Sequence, residues 1–128
     1  MADYSAKRID DMEAIYGGGF KRARAELGVE SFGMQVIDMP PKFEHHPEHA
    51  EGEQEEVYVV LRGSAEIDVE GERIPIDTDT LIRVGPGTKR KIYPGAEGVR
   101  VLALGGTKGK AYEATEITQL GGPDPSKS

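Results

Sequence analysis

All three histidines of this chain, His45, His46 and His49, fall in one short stretch that runs on into Glu51, Glu53, Glu55 and Glu56. Imidazole nitrogens and carboxylate oxygens together form the ligand set preferred by Zn, Mn, Fe or Ni. The same groups are the usual general acids and bases. The plain alternative is a solvated acidic loop with incidental histidines, since runs of charge are usually exposed faces. Other chemistries find no support. Without cysteine there is no thiolate metal site, disulfide or Cys nucleophile. No serine sits in a Gly-x-Ser-x-Gly elbow. The run Gly105-Gly106-Thr107-Lys108-Gly109-Lys110 misses the phosphate-loop spacing, because Leu104 and Ala111 stand where glycine and a hydroxyl are needed. Gly17-Gly18-Gly19 is read as a turn rather than as an anion-binding nest.

These residues need a scaffold, and the pattern from residue 31 onward is that of strands. Phe32 to Met39 ends at Pro40-Pro41, and Glu55 to Leu61 is rich in Val and Tyr. Ala65, Ile67 and Val69 alternate with acidic residues, and Glu70-Gly71 suits a hairpin turn back through Ile74 and Ile76. Thr80 to Val84, Lys89 to Tyr93 and Val99 to Leu104 supply three more short strands, punctuated by Pro86-Gly87 and Pro94-Gly95. Many short strands without long intervening helices predict an antiparallel sandwich or barrel. Ahead of it, Ile9, Met12, Ile15 and Tyr16 recur at helical spacing. Phe20, Ala23 and Leu27 give a second, weaker helical pattern with Gly28 as its C-cap. The expected organisation is a lead-in segment at 1–30, one barrel domain at 31–120 and a disordered tail at 121–128, where core-forming residues are lacking.

Bulk composition narrows the partners. A chain of 128 residues is one domain, large enough to fold on its own core. Its formal net charge of −7 repels nucleic acid and anionic membrane surfaces. The polar start from Met1 to Arg8 is unlike a signal peptide, and the lack of cysteine suits a cytoplasmic location.

The glutamate-bearing strand carries a family resemblance. His49-Ala50-Glu51, four residues, Glu56, six residues and Gly63 is similar to the first cupin motif with one substitution. Asp79, Gly85-Pro86-Gly87, Arg90 and Pro94 keep the spacing of the second cupin motif but depart at four of its positions. The resemblance spans residues 49 to 105 and implies an all-β double-stranded β-helix, or jelly-roll barrel. Its metal positions fall here on His49, Glu51, Glu56 and Arg90. A guanidinium has no lone pair to offer. Two unit charges about 4 Å apart repel by roughly 4 kcal/mol at an effective dielectric of 20, and a divalent ion doubles that.

The expectation is therefore an eroded metal site, without cofactor, in which Arg90 replaces the cation and pairs with Glu56, and with Glu51 in reach. Period two places Glu56, Tyr58 and Val60 on one inner face. The leading expectation is a binding protein whose cavity, lined by Arg90, Tyr58 and His49, takes a small polar or anionic ligand through an Arg clamp. The alternative is a metal-independent isomerase or lyase, with His49 as base, Tyr58 as acid and Arg90 on a developing oxyanion. A metal-dependent oxygenase would instead use His49, Glu51 and Glu56, with His45 or His46 folded in and Arg90 turned away. The resemblance also implies a homodimer, and the lead-in segment could cover an open sheet edge.

Overall fold

A computed structural model describes residues 2–43 and 46–127. Seven strands form one antiparallel sheet: β1 (Ala14–Ile15), β2 (Phe20–Lys21), β3 (Gly33–Met39), β4 (Gln54–Val69), β5 (Glu72–Ile76), β6 (Leu81–Val84) and β7 (Arg90–Thr107). The spatial order is β1-β2-β3-β7-β4-β5, with β6 on the free side of the first half of β4. One short helix, α1 (Ala23–Leu27), is closed by Gly28 in the left-handed conformation, as its sequence predicts.

Two long strands carry the architecture. Segments expected as separate strands on either side of Gly63 are one strand, and so are those on either side of Pro94-Gly95. β4 and β7 pair from Gln54↔Thr107 to Val69↔Arg90, with register shifts between Val60 and Arg62 and between Gly63 and Ala65. Bulges of this kind bend a strand without ending it. At the bend Gly63 has φ of +79°, and a Cβ there would lie 2.2 Å from the Gly98 carbonyl oxygen. The strands can therefore cross at this corner only where a side chain is missing. At the far end Glu70 and Gly71 both take positive φ, the signature of the predicted two-residue hairpin.

The inner face holds the main core, including Met39, Val60, Ile67, Ile92 and Val101. Its composition is that of an all-β jelly roll. The outer face of β3 is covered by a second cluster of Met12, Ala23 and Val36, with Leu27 and Leu102 against it. This explains the lead-in sequence. Ile9, Met12 and Ile15 do not form the expected helix; Ile9–Asp11 is a single 3-10 turn and Ile15 enters β1. Gly17 and Gly18, both at positive φ, turn the chain into β2, and that hairpin pairs with β3. Tertiary burial of Ile15 and Met12 overrides a weak helical period. The pairing also covers the β3 edge, as an exposed edge requires.

The segment expected to be a disordered tail is placed, through residue 127, against the lead-in. The fully buried Arg22 guanidinium donates to the carbonyls of Gln119, Gly122 and Pro123 and pairs with Glu13 at 3.1 Å. Asp124 accepts from the Tyr16 amide. Backbone carbonyls gathered by one arginine replace the missing apolar residues, which a search for core-formers does not detect.

Candidate functional site

β4 sets the site. Glu56, Tyr58 and Val60 alternate inward as expected, and all three are buried. Upstream of the strand, His49 forms an isolated antiparallel bridge with Arg90: the His49 amide donates to the Arg90 carbonyl at 3.0 Å, and the reverse bond is 2.9 Å. The Gly87 amide donates to the Glu51 carbonyl at 2.6 Å. The histidine loop is thus stitched to the loop and strand that carry Arg90.

His49, Glu51 and Glu56 each present one donor atom, all within 4.8 Å of one another. His49 Nε2 lies 3.6 Å from an oxygen of Glu51 and 3.6 Å from an oxygen of Glu56, and Nδ1 is 3.4 Å from the Pro47 carbonyl. Acceptors at both ring nitrogens favour the imidazolium. The hydrogen bond with Glu56 raises the His49 pKa above its ordinary value, against the opposing effect of burial. Burial alone would raise Glu56, but hydrogen bonds from His49 and Tyr58 and the Arg90 charge outweigh it and hold the carboxyl below the usual range. The Tyr58 hydroxyl donates to Glu56 at 2.5 Å, and burial, then the Glu56 charge, push the phenol well above its ordinary value.

Arg90 is 0 % exposed, with its guanidinium 3.7 Å from Glu56. Its three side-chain nitrogens have no hydrogen-bond partner among the described residues. The ion pair with Glu56 is where the sequence placed it; the counterpart of Glu51 is His49 instead. Arg90 lies behind Glu56 and does not line the cavity, so the expected carboxylate clamp is corrected. The roles imagined for an enzyme change as well. His49 is poised to hold a proton rather than to take one, and Tyr58 has committed its proton to Glu56.

The cavity has a volume of about 1060 Å³. His46, His49, Glu51, Gln54, Glu56 and Tyr58 form its polar end. Ile37 and Met39 of β3, Ala103 of β7, Tyr16–Phe20 and part of segment 112–118 line the rest of it. His46 is a site residue whose role the sequence left open. Its Nδ1 accepts the Ile92 amide proton at 3.1 Å, so Nε2 carries the proton in the neutral ring. Burial, and then the His49 charge, press its pKa down to about 4. His45 lies outside the described residues. The walls from Tyr16, Phe20 and Tyr112 went unnoticed, because nothing local in sequence links either terminal segment to β4.

A metal of the kind cupins hold fits these residues poorly. Among the described residues the set offers one nitrogen and two carboxylates, and the tautomer of His46 removes its ring as a fourth donor. Glu56 is already shared by His49, Tyr58 and Arg90. A dication bound at Glu56 would also sit beside the fixed Arg90 guanidinium, 3.7 Å from that carboxylate.

The sequence matches no family model and no curated protein. Similarity lies in the fold. A cupin protein from Bacteroides fragilis superposes with a TM-score of 0.70 at 19% identity, covering 92% of this chain and 95% of that one. The plu4264 protein of Photorhabdus luminescens gives 0.61 at 16% identity, covering 84% and 90%. A putative sugar phosphate isomerase from Acidithiobacillus ferrooxidans gives 0.60 at 23% identity, over 67% of this chain and 56% of that one. The chain has the cupin fold. Solved proteins of this shape include enzymes, an oxalate decarboxylase by prediction among them. No helix among the described residues is long and apolar enough to cross a membrane.

Proposed function

We propose that this chain is a small-molecule-binding cupin that works without a metal, its cavity taking a mainly apolar molecule with a polar head. The observation that carries this reading is the buried Arg90–Glu56 pair, in which a guanidinium occupies the motif position of a metal-ligating histidine. The polar end would orient the head through His49, Glu51 and His46, while Ile37, Met39 and Phe43 would contact the body. Because Arg90 sits behind the wall, an anionic head loses the clamp that would have favoured it.

One observation favours a second reading, a metal-independent isomerase or lyase. His49 lies on the cavity wall 3.6 Å from the Glu56 carboxylate, and that contact raises its pKa above the ordinary value. In that reading His49 protonates the bound molecule and Glu51 or Glu56 receives the proton returned to the site. The test is a thermal-shift and native mass-spectrometry screen of untagged, chelator-treated protein, with the recovered ligand analysed afterwards. Binding of an organic molecule that is returned unchanged supports the first reading. Chemical conversion supports the second, and a requirement for added metal overturns both.

A further inference from the structure

Building on the binding cavity proposed above, we infer that the head group it selects is an organic cation, specifically an alkylated ammonium. Of the chain's five tyrosines and three phenylalanines, Tyr16, Tyr58, Tyr112, Phe20 and Phe43 line this one cavity. Packing in the main core accounts for Tyr58 and Phe43 but not for Tyr16, Phe20 and Tyr112. Tyr16 and Phe20 meet edge to face with centroids 5.9 Å apart, flanking the glycine turn. The Tyr112 ring lies so close to Gly33 that a Cβ there would come within 2.9 Å of it. A glycine in β3 thus leaves room for an aromatic wall.

Acidic side chains outnumber basic ones on the wall. Asp38, Glu51, Glu56 and Glu113 line the cavity, while no Lys or Arg does so among the described residues; His46 and His49 are the basic groups present. Asp38 is answered by Arg100 at 2.7 Å and Glu56 by Arg90, but both cations stand behind the carboxylates they pair with. A ligand therefore meets carboxylates and aromatic rings, of which Tyr112 also has the Arg24 guanidinium 5.7 Å from its centroid. Both attract positive charge, and a carboxylate ligand would face like charge.

Hydrogen bonding at Glu56 favours one kind of cation. A primary ammonium brings three donors and needs three acceptors in a desolvated site. The Glu56 oxygen facing the polar end already receives Tyr58 and lies within reach of His49 and Arg90. An ammonium whose hydrogens are replaced by alkyl groups asks for no acceptors and is held by ring faces and diffuse charge.

The test compares choline with 3,3-dimethylbutan-1-ol, its uncharged carbon isostere, and with 4,4-dimethylpentanoate, by calorimetry or chemical-shift titration of the whole chain. Choline should bind at least about tenfold more tightly than the alcohol, and the carboxylate most weakly. Phe20→Leu should weaken choline several-fold while leaving the alcohol unchanged. Equal affinity for choline and the alcohol overturns the cation inference and leaves the apolar cavity standing. Tighter binding of the carboxylate overturns the inference in the same way. Failure of all three to bind, with no small molecule recovered from the purified protein, removes the binding cavity as well.

Discussion

The Arg90 guanidinium stands 3.7 Å from the Glu56 carboxylate with no exposed surface of its own, on the strand that also bridges His49. A buried pair is weak evidence for stability, but either half left alone is expensive. Arg90→Ala should destabilise the fold by about 3–5 kcal/mol in urea denaturation, and Glu56→Gln by a comparable amount, because each strands the opposite charge. The double replacement Arg90→Met with Glu56→Gln should recover most of that loss. Unchanged stability in Arg90→Ala would contradict the pairing.

The two described histidines give stability opposite pH dependences. His46, lowered to about 4 from 6.5, is neutral when folded and protonated when unfolded between those values. Its contribution is present above pH 6.5 and is lost as the pH falls toward 4, by roughly 3 kcal/mol. His49, raised above 6.5, contributes fully below 6.5 and loses that contribution as the pH rises through its folded value. Glu56, lowered from 4.5, adds a further loss in more acid solution. Stability, measured by urea denaturation across pH 4 to 9, should therefore peak near pH 6.5. His46→Asn, which can still accept the Ile92 amide, should flatten the limb between 6.5 and 4.

Arg22 ties the two ends of the chain. Arg22→Ala should cost about 2–4 kcal/mol, since three carbonyls lose a charged donor and Glu13 its partner. Limited proteolysis should then cut within residues 119–127 faster than in the unaltered protein. Resistance equal to that of the parent would count against the contact.

The corner between β4 and β7 should tolerate no side chain. Gly63→Ala combines a positive φ with a near-collision against the Gly98 carbonyl and should cost about 2–4 kcal/mol. Gly71→Ala, also at positive φ but with open space around it, should cost less, about 1 kcal/mol. A larger loss at Gly71 would show that strain, not the close approach, governs both positions.

Period-two alternation made Glu56, Tyr58 and Val60 legible as one inward row, and motif spacing brought Arg90 to Glu56. Both signals survive because they are local: a pleat and a fixed strand length transmit them directly. The direction in which Arg90 faces was not legible, for spacing says that two residues meet but not which one lies nearer the solvent. The β1 strand reads as helix because Ile9 and Met12, three residues apart, face one apolar cluster and Ile15 is buried without helix. Tyr112 and Phe20 escaped notice for a different reason. They reach the cavity from opposite ends of the chain, and only the docking of segment 112–118 and the β2–β3 pairing bring them there.

Metal content tests the central claim most directly. Untagged protein and its Arg90→His variant, each equilibrated with equimolar Mn, Fe(II), Ni and Zn and then dialysed, are to be measured by elemental mass spectrometry. The account predicts that the parent retains no stoichiometric metal, whereas the variant, given an imidazole beside His49, Glu51 and Glu56, retains one ion per chain. One ion per chain in the parent, lost in His49→Ala and in Glu56→Ala, would contradict it.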